Sequence, residues 1–226
     1  NQKCFITFDD GWSDNYHYAF PILKKYKVPA TIFLTTNLIG QQCWPWPDRI
    51  SYYLTYINKS RMEELSRLLK MKIPSNIKIM QEKYLKEKII DLYIQEIKAL
   101  RHEDLNDIIN MIDLYCNDLY NAIKNQGPWL TWDQINEMKN TGIDFGAHTH
   151  NHVILTKVPH EVAEQEILLS IQSLEQNIHD HVTLFSYPNG NYNQQIQEIL
   201  VKYGITHALT TKSGFNKETD NPLELK

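Results

Sequence analysis

The first forty residues carry the pattern that most restricts how this chain can fold. Two runs of β-forming residues, 4–8 and 30–35, flank a stretch whose apolar residues recur at helical spacing, 16–25. Val28-Pro29 interrupts the helical pattern just before the second run. Two strands joined by one helix are expected to pair in parallel, because parallel neighbours need a long crossover and a helix supplies it. The sequence therefore predicts a βαβ unit and an α/β fold.

The same alternation resumes in the second half of the chain. Further strands are predicted at 143–147, 182–187 and 206–211, and helices at 131–139, 159–177 and 194–203. Thr131 and Gln134 form a capping-box pattern for the first of these helices. Gly142 is suited to end that helix, since glycine readily adopts left-handed backbone angles.

Between these two parts lies a segment of different character. Residues 44–127 lack convincing strand patterns, and the prolines of Trp44-Pro45-Trp46-Pro47 mark their beginning. The amphipathic stretches of this segment, each long enough for a helix, are 61–71, 81–100 and 103–123. We therefore predict one discontinuous α/β domain, 1–43 and 128–226, that carries a mostly helical insertion, 44–127.

Composition and charge exclude several classes of protein. Of 226 residues, 42% are hydrophobic and 22% are charged, which is ordinary for a globular chain and rules out a disordered one. The net charge is −4, from 23 basic and 27 acidic residues without a basic cluster, so no nucleic-acid partner is predicted. No run approaches the length of about eighteen apolar residues that indicates a transmembrane segment. The cysteines are too few and too dispersed for a disulfide framework or a paired-cysteine zinc site: Cys4, Cys43 and Cys116.

Three polar clusters directly follow predicted strands, at the edge where parallel α/β folds gather their catalytic groups. They are Asp9-Asp10, His148-Thr149-His150-Asn151-His152 and Tyr187-Pro188-Asn189-Gly190. Two histidines and an aspartate form a nitrogen and oxygen donor set that suits Zn²⁺ or a similar divalent ion. Adjacent aspartates on an extended backbone point to opposite sides, so one is expected to bind the metal while the other approaches its bound water.

Each cluster also has a purely structural interpretation. Asp-Asp-Gly after a strand commonly forms a turn, three histidines in five residues can belong to a solvated loop, and Tyr-Pro-Asn-Gly is a β-turn pattern. The order of the three clusters and their shared position after strands favour a functional site over three unrelated loops.

Several short segments around these clusters match one known pattern. The first comprises Thr7-Phe8-Asp9-Asp10-Gly11 and, further on, Pro29-Ala30-Thr31-Ile32-Phe33. The second is His148-Thr149-x-x-His152, and the third is Phe185-Ser186-Tyr187-Pro188-Asn189-Gly190. Together they resemble the motifs of the polysaccharide deacetylases, the NodB-type domain of carbohydrate esterase family 4. The resemblance covers residues 4–40 and 128–215 and omits the insertion.

The resemblance implies a distorted, incomplete (β/α) barrel of about seven strands, where a complete one has eight. It also implies one divalent metal ion, most simply Zn²⁺ with Co²⁺ or Ni²⁺ as alternatives, held by Asp10, His148 and His152. Asp9 takes the position of the catalytic base, and the backbone N–H of Asn189 that of a donor to the oxyanion. His150 falls on a variable motif position and is not expected to bind the metal.

The implied activity is removal of N-acetyl groups from amino sugars in a polysaccharide or lipid-linked glycan, through attack of metal-bound water on the acetamide. Tyr187, Pro188 and Gly190 are expected to shape the substrate side of the site. Trp44 and Trp46 of the insertion are interpreted as lining the cleft or as packing the insertion. The resemblance favours a cell-envelope or secreted location over the cytoplasm and leaves the oligomeric state open.

The chain departs from the family pattern in its third motif and beyond. Ser186 stands where many members have an arginine that orients the base, and Asn189 where many have a tyrosine. Neither an Asp-Trp motif nor the late Leu-x-His motif that supplies the general acid in many members is visible after Thr211. Two alternatives therefore stay open: a hydrolase of other amides or O-acetyl esters on the same fold, or a catalytically weak, metal-containing glycan-binding module.

Overall fold

The computed structural model of this chain describes residues 4–42, 44–69, 83–98, 100, 102–124 and 127–226, with the backbone alone for 83–86, 102 and 103. The chain divides into two compact units, Asn1–Gln41 with Pro128–Lys226 and Gln42–Gly127. Each unit contains a hydrophobic core of its own. A helix with the length and apolarity needed to cross a bilayer does not occur within the described ranges.

Parallel strands curl into a half-barrel in the first unit. In chain order they are β1 (Ile6–Phe8), β2 (Ala30–Leu34), β3 (Ile143–Ala147), β4 (Leu184–Ser186) and β5 (His207–Leu209). Each strand pairs with the next one along the chain, which confirms the predicted α/β class and parallel pairing. Over the described residues the sheet has five strands rather than the implied number of about seven. Two further pairings, Trp12 with Trp129 and Leu209 with Leu225, are isolated bridges that do not extend into ladders.

Helices provide the crossovers of the first unit and build the second. In chain order they are α1 (Phe20–Tyr26), α2 (Trp46–Tyr56), α3 (Lys59–Leu68), α4 (Lys83–Lys98), α5 (His102–Tyr115), α6 (Asn117–Ile123), α7 (Trp132–Lys139), α8 (His160–Ile178) and α9 (Gln194–Lys202). A π-helical segment, Asn15–Ala19, leads into α1. The predicted capping box is present at α7: Thr131 Oγ1 accepts from the backbone N–H of Gln134, whose side chain accepts from the N–H of Thr131.

Helix α8 turns one face to the core of the first unit. Ala163, Ile167, Ile171 and Leu174 recur every three or four residues and are buried, as a helix with one core-facing stripe requires. Burying one leucine or isoleucine side chain contributes roughly 1.5–3 kcal/mol. The same helix buries a carboxylate, Glu166, which therefore needs partners inside the protein.

Backbone hydrogen bonds continue past the strands and join the loops that follow them. His148, the first residue after β3, donates its N–H to the carbonyl of Leu34 at 3.0 Å. Thr35, the first residue after β2, donates to the carbonyl of Asp10 at 3.3 Å. The loops after β1, β2 and β3 are thus connected at one edge of the sheet, although His148 and Leu34 are 114 positions apart in the sequence.

The second unit differs from its sequence-based description in two places. Helix α2 begins at Trp46, within the proline-rich stretch that was interpreted as a break in the chain. Pro47 is compatible with this helix because it lies in the first turn, where a missing N–H costs no hydrogen bond. The amphipathic stretch predicted at 103–123 is two helices, α5 and α6, which meet at Cys116. The helix ends predicted at residues 71 and 81 lie outside the described residues.

A polar network joins α2 to α5 inside the second unit. The Arg49 guanidinium donates to both oxygens of Asp113 at 3.1 and 2.7 Å, and the Tyr53 hydroxyl donates to the same carboxylate at 2.7 Å. Arg49 also donates to the carbonyl of Trp44 at 2.6 Å. Trp44 and Trp46 pack against the core of this unit. The partly buried charges of Arg49 and Asp113 are therefore paired with each other.

Candidate active site

The Asp9-Asp10-Gly11 segment forms a tight turn after β1. Asp10 and Gly11 both have left-handed backbone angles, with φ of 73° and 87°, and Gly11 N donates to the carbonyl of Asp9 at 3.0 Å. Only glycine suits the last position, since a Cβ there would lie 2.9 Å from the Leu34 side chain. The expectation of an extended pair with alternating side chains is therefore wrong. The turn, and not strand pleating, sends the two carboxylates to different neighbours.

Asp10, His148 and His152 form a compact group of potential metal ligands. Asp10 Oδ1 lies 3.4 Å from His148 Nε2 and 3.2 Å from His152 Nε2, and all three ligand atoms lie within 4.8 Å of one another. His148 is buried, whereas the His152 side chain is 44% exposed. The group therefore has a buried side and a side open to solvent.

Asp10 Oδ1 and His148 Nε2 face each other without a hydrogen between them in the neutral state of the ring. His148 Nδ1 lies 2.7 Å from the carbonyl of Ser186, which can only accept, so Nδ1 carries the hydrogen. In the neutral ring, Nε2 then presents a lone pair to Asp10 Oδ1, which is buried and receives no hydrogen bond. Electron-pair donors that face each other in a buried place need a shared cation or proton. This arrangement fits a divalent ion held by two imidazoles and a carboxylate.

The charges of the group favour a cation as well. Burial alone raises the pKa of the Asp10 carboxyl, but the adjacent rings of His148 and His152 outweigh it and hold that pKa well below its ordinary value. Burial alone lowers the pKa of His148, whereas Asp10, and then the charge of Asp9, bring it above its ordinary value. Positive charge is therefore stabilised beside an ionised Asp10.

Trp12 fixes the orientation of Asp10. Its indole N–H donates to Asp10 Oδ2 at 3.1 Å, which leaves Oδ1 for the two histidines. The Trp12 ring lies 4.7 Å from that of Trp129, which is buried, so the indole itself is held in place. Sequence reasoning did not identify Trp12, because its only signal is its position directly after the Asp-Asp-Gly turn.

The loop between the two histidines has an unusual backbone. Thr149 and His152 adopt left-handed angles, with φ of 64° and 59°. His150 lies outside the ligand group, and its Nδ1 is 2.9 Å from the hydroxyl of Thr36. The loop thus turns His148 and His152 to Asp10 and turns His150 to the loop after β2.

Ser186, which stands where many family members have an arginine, contacts Asp9. The Ser186 hydroxyl donates to Asp9 Oδ2 at 3.3 Å, while the carbonyl of the same residue accepts from His148. Ser186 is buried and Asp9 is exposed. One residue at the end of β4 therefore contacts both the predicted base and a predicted ligand.

The loop after β4 is divided between core and surface. Tyr187 and Pro188 are buried, and the Tyr187 hydroxyl donates to the carbonyl of Leu223 at 3.0 Å. The Tyr187 ring also stacks on that of Tyr192, with centroids 5.1 Å apart. The side chain of Tyr187 is therefore a packing element, and its predicted contact with substrate can involve only the backbone in this conformation.

The surface part of this loop is Asn189-Gly190. Both residues have left-handed angles, with φ of 58° and 71°. A Cβ on Gly190 would lie 2.1 Å from the Thr211 hydroxyl oxygen, so this position requires glycine. Asn189 is exposed, and its side-chain amide donates to Asn191 Oδ1 at 2.6 Å. The oxyanion role of its backbone N–H stays a prediction, as does any contact of Trp44 and Trp46 with a substrate.

Comparison with known proteins matches nearly the whole chain to one family. The family model of polysaccharide deacetylases covers residues 1–86 and 91–208. YxkH of Bacillus subtilis (strain 168), a protein named for the same family, is 23% identical over 215 residues, 95% of this chain and 47% of YxkH. A poly-beta-1,6-N-acetyl-D-glucosamine N-deacetylase of Staphylococcus aureus (strain MSSA476) is 47% identical over 50 residues, 22% of this chain and 17% of that enzyme.

Solved structures share the fold. The match with the deacetylase PplD of Streptococcus pyogenes, in complex with acetate, covers 98% of this chain and 61% of PplD, with a TM-score of 0.58 and 21% identity. The match with IcaB of Ammonifex degensii covers 98% of this chain and 64% of that one, with a TM-score of 0.56 and 18% identity.

The matched relatives are longer than this chain, which spans about half of YxkH and less than two thirds of the two solved structures. Within that span, the family match includes β1 to β4, most of β5 and each of the three loops described above. The resemblance inferred from the short motifs is thus confirmed. This chain belongs to the polysaccharide deacetylase family.

Proposed function

We propose that this chain hydrolyses the acetamide of N-acetylated amino sugars in a polysaccharide or lipid-linked glycan and releases acetate and a free amine. The observation that carries the proposal is that the ring nitrogens of His148 and His152 face Asp10 Oδ1, which has no hydrogen-bond partner. The neighbouring residue in the chain is the carboxylate Asp9. Family membership supports deacetylation. The short match to an enzyme named for poly-beta-1,6-N-acetyl-D-glucosamine supports an amino-sugar polymer as the substrate class.

Asp10, His148 and His152 would hold one divalent cation, for which Zn²⁺ is the simplest choice and Co²⁺ or Ni²⁺ are alternatives. A cation bound there supplies Lewis acidity, which polarises an acyl oxygen and lowers the pKa of water towards about 7. The other parts of the reaction fall to residues of the chain.

Asp9 would remove the proton from the attacking water. The Ser186 hydroxyl occupies Asp9 Oδ2, which leaves Oδ1 to accept that proton. The bond from the water oxygen to the acetyl carbon forms as the proton moves to Asp9. A positioned base of this kind contributes typically 10²–10⁴ in rate, so an effect of this size on kcat is assigned to Asp9.

The tetrahedral oxyanion would accept a hydrogen bond from the backbone N–H of Asn189, in the turn that Gly190 permits. Its collapse breaks the carbon–nitrogen bond, and the electron pair goes to nitrogen. The nitrogen then needs one proton to leave as an amine, and the proton held by Asp9 meets that need within the same site.

Acetate release from N-acetylglucosamine oligomers tests this proposal. The wild-type chain with Zn²⁺ is expected to release acetate and free amine in equal amounts, and His148→Ala to release neither. An O-acetylated oligosaccharide serves as the parallel substrate. Release from the ester alone would replace the proposal by an esterase, and binding of the oligomers without any release would support a glycan-binding module.

A further inference from the structure

Glu166, on helix α8, contacts the loop that carries the two histidines. We propose that it is a positioning residue that holds this loop in the conformation presenting His152 to Asp10. The inference rests on the proposed function, because it assigns a role at the same metal site. Glu166 itself is not a ligand, and it acts through the two residues that precede His152.

Glu166 accepts three hydrogen bonds, all from the loop between the two histidines. Its Oε2 accepts from the backbone N–H groups of His150 at 3.0 Å and Asn151 at 2.7 Å, and its Oε1 accepts from the Asn151 side-chain amide at 2.7 Å. Glu166 is only 7% exposed. An ionised carboxylate offers acceptors alone, so it suits three converging donors, whereas an amide in its place would turn an NH₂ group to one of them.

The loop needs this support because its backbone is strained. Thr149 and His152 have left-handed φ angles and lie on either side of the two residues that Glu166 binds. Non-glycine residues keep such angles only where surrounding contacts impose them. Glu166 supplies these contacts from one side, at the middle of the loop.

The loop after β2 supplies the contacts on the other side. The carbonyl of His150 accepts from Asn37 N at 2.9 Å, and its ring pairs with the Thr36 hydroxyl. The Asn151 side-chain oxygen accepts from Asn37 Nδ2 at 2.7 Å. The carbonyl and ring of His150 are thus bound by residues of the loop after β2, while the N–H groups of His150 and Asn151 are bound by Glu166.

The two histidines depend on Glu166 to different degrees. His148 is buried and is held by Leu34 through its backbone and by Ser186 through its ring. His152 is 44% exposed, and its ring lies against Asp10 and the ring of His148. Loss of Glu166 should therefore displace His152 first, which weakens the metal site without removing a ligand.

Metal titration of Glu166→Gln tests the inference. The dissociation constant for Zn²⁺ is expected to rise about 10- to 100-fold, the usual effect of removing an outer partner of a ligand, and the visible absorption of the Co²⁺ form should change. Glu175→Gln is the matched control, because Glu175 lies on the same helix and accepts from Val182 N at 3.1 Å, away from the site. It should leave both readouts as in the wild type.

Asn151→Ala provides a second test should Glu166→Gln fail to fold, since Asn151 is exposed. It removes one bond to Glu166 and the bond from Asn37, whereas Asn37→Ala removes only the latter side-chain bond. A larger loss of Zn²⁺ affinity in Asn151→Ala supports the inference, and equal affinities overturn it. Unchanged affinity in a folded Glu166→Gln also overturns it. A wild-type chain that binds no metal would refute the proposed function instead.

Discussion

A polar network in the second unit and the candidate ligand group in the first differ in how their polar atoms are paired. In the second unit, Arg49, Tyr53 and Asp113 satisfy one another in one network. In the first unit, Asp10 Oδ1 and the Thr149 hydroxyl are buried without hydrogen-bond partners, at the edge of the sheet where the loops meet. Paired charges of the first kind stabilise a packed helical unit. An unpaired carboxylate oxygen that faces two imidazole nitrogens, as Asp10 Oδ1 does, is the mark of a binding site.

Backbone strain follows the same division. The non-glycine residues with left-handed φ in the described ranges all lie in the first unit: Asp10, Lys27, Thr149, His152, His179 and Asn189. Lys27 and His179 end helices, and the other four lie in the three loops after β1, β3 and β4. The second unit also contains one buried, unpaired hydroxyl, that of Tyr93. What distinguishes the site is therefore strain and convergence together, and not an isolated polar atom.

The largest expected effect is loss of the metal. His148→Ala and His152→Ala each remove one of three ligand atoms, so both variants should lose bound Zn²⁺ and activity. His150→Ala should keep most of the metal, because its ring pairs with Thr36 and not with Asp10. Elemental analysis of the three purified variants measures this. Loss of metal from His150→Ala alone would mean that the ligand group is wrongly identified.

Replacing the two aspartates separately should split metal binding from proton transfer. Asp9→Asn keeps the shape but removes the basic carboxylate, so kcat should fall by about 10²–10⁴ while the metal stays bound. Asp10→Asn weakens a ligand, so added Zn²⁺ or Co²⁺ should restore part of its activity. Measuring the rate of both variants against metal concentration distinguishes the base from the ligand. Rescue of Asp9→Asn by metal would require the two roles to be exchanged.

Ser186 should have a smaller effect, on the chemical step alone. Ser186→Ala removes one long hydrogen bond, 3.3 Å, to the exposed Asp9 carboxylate, worth about 1 kcal/mol, so kcat should fall roughly 3- to 10-fold with KM and Zn²⁺ affinity unchanged. The backbone contact of this residue with His148 persists in the variant. Ser186→Thr keeps the hydroxyl and should retain most of the rate. If both variants lose activity equally, packing rather than the hydroxyl is responsible.

The smallest expected effect concerns the second unit. If this unit contributes to binding of long glycans, replacing Trp44 and Trp46 by alanine should raise KM a few-fold for long oligomers and leave it unchanged for short ones. Asp113→Ala is the control, because it breaks the network of the same unit and should lower the melting temperature without this selectivity. Equal KM changes for both oligomer lengths would leave the two tryptophans a packing role only.

Local patterns in the sequence predicted much of the first unit. The strand at 143–147 has the predicted bounds, and those predicted at 182–187 and 206–211 contain the shorter β4 and β5. Strand ends were overestimated because propensity continues past the last residue that has a paired neighbour. In the second unit, helix α2 was missed because Pro47 was interpreted as a break, although a first-turn proline is compatible with a helix.

The sequence by itself determined which side chains could form the site and in what order they occur. Asp9, Asp10, His148 and His152 were recognisable because their motifs are short and follow strand patterns that are themselves local. The same local signals predicted the capping box at α7 and the parallel crossovers.

Only the tertiary structure decided how these side chains are oriented. The left-handed angle of Asp10 replaced the expected extended pair, and burial turned Tyr187 into a packing residue. Ser186 reaches Asp9 across 177 positions, and Glu166 binds the histidine loop from a helix. Such contacts depend on sheet register and on how loops pack against each other. Periodicity and turn chemistry record the conformation of neighbouring residues, and they carry no information about partners that distant.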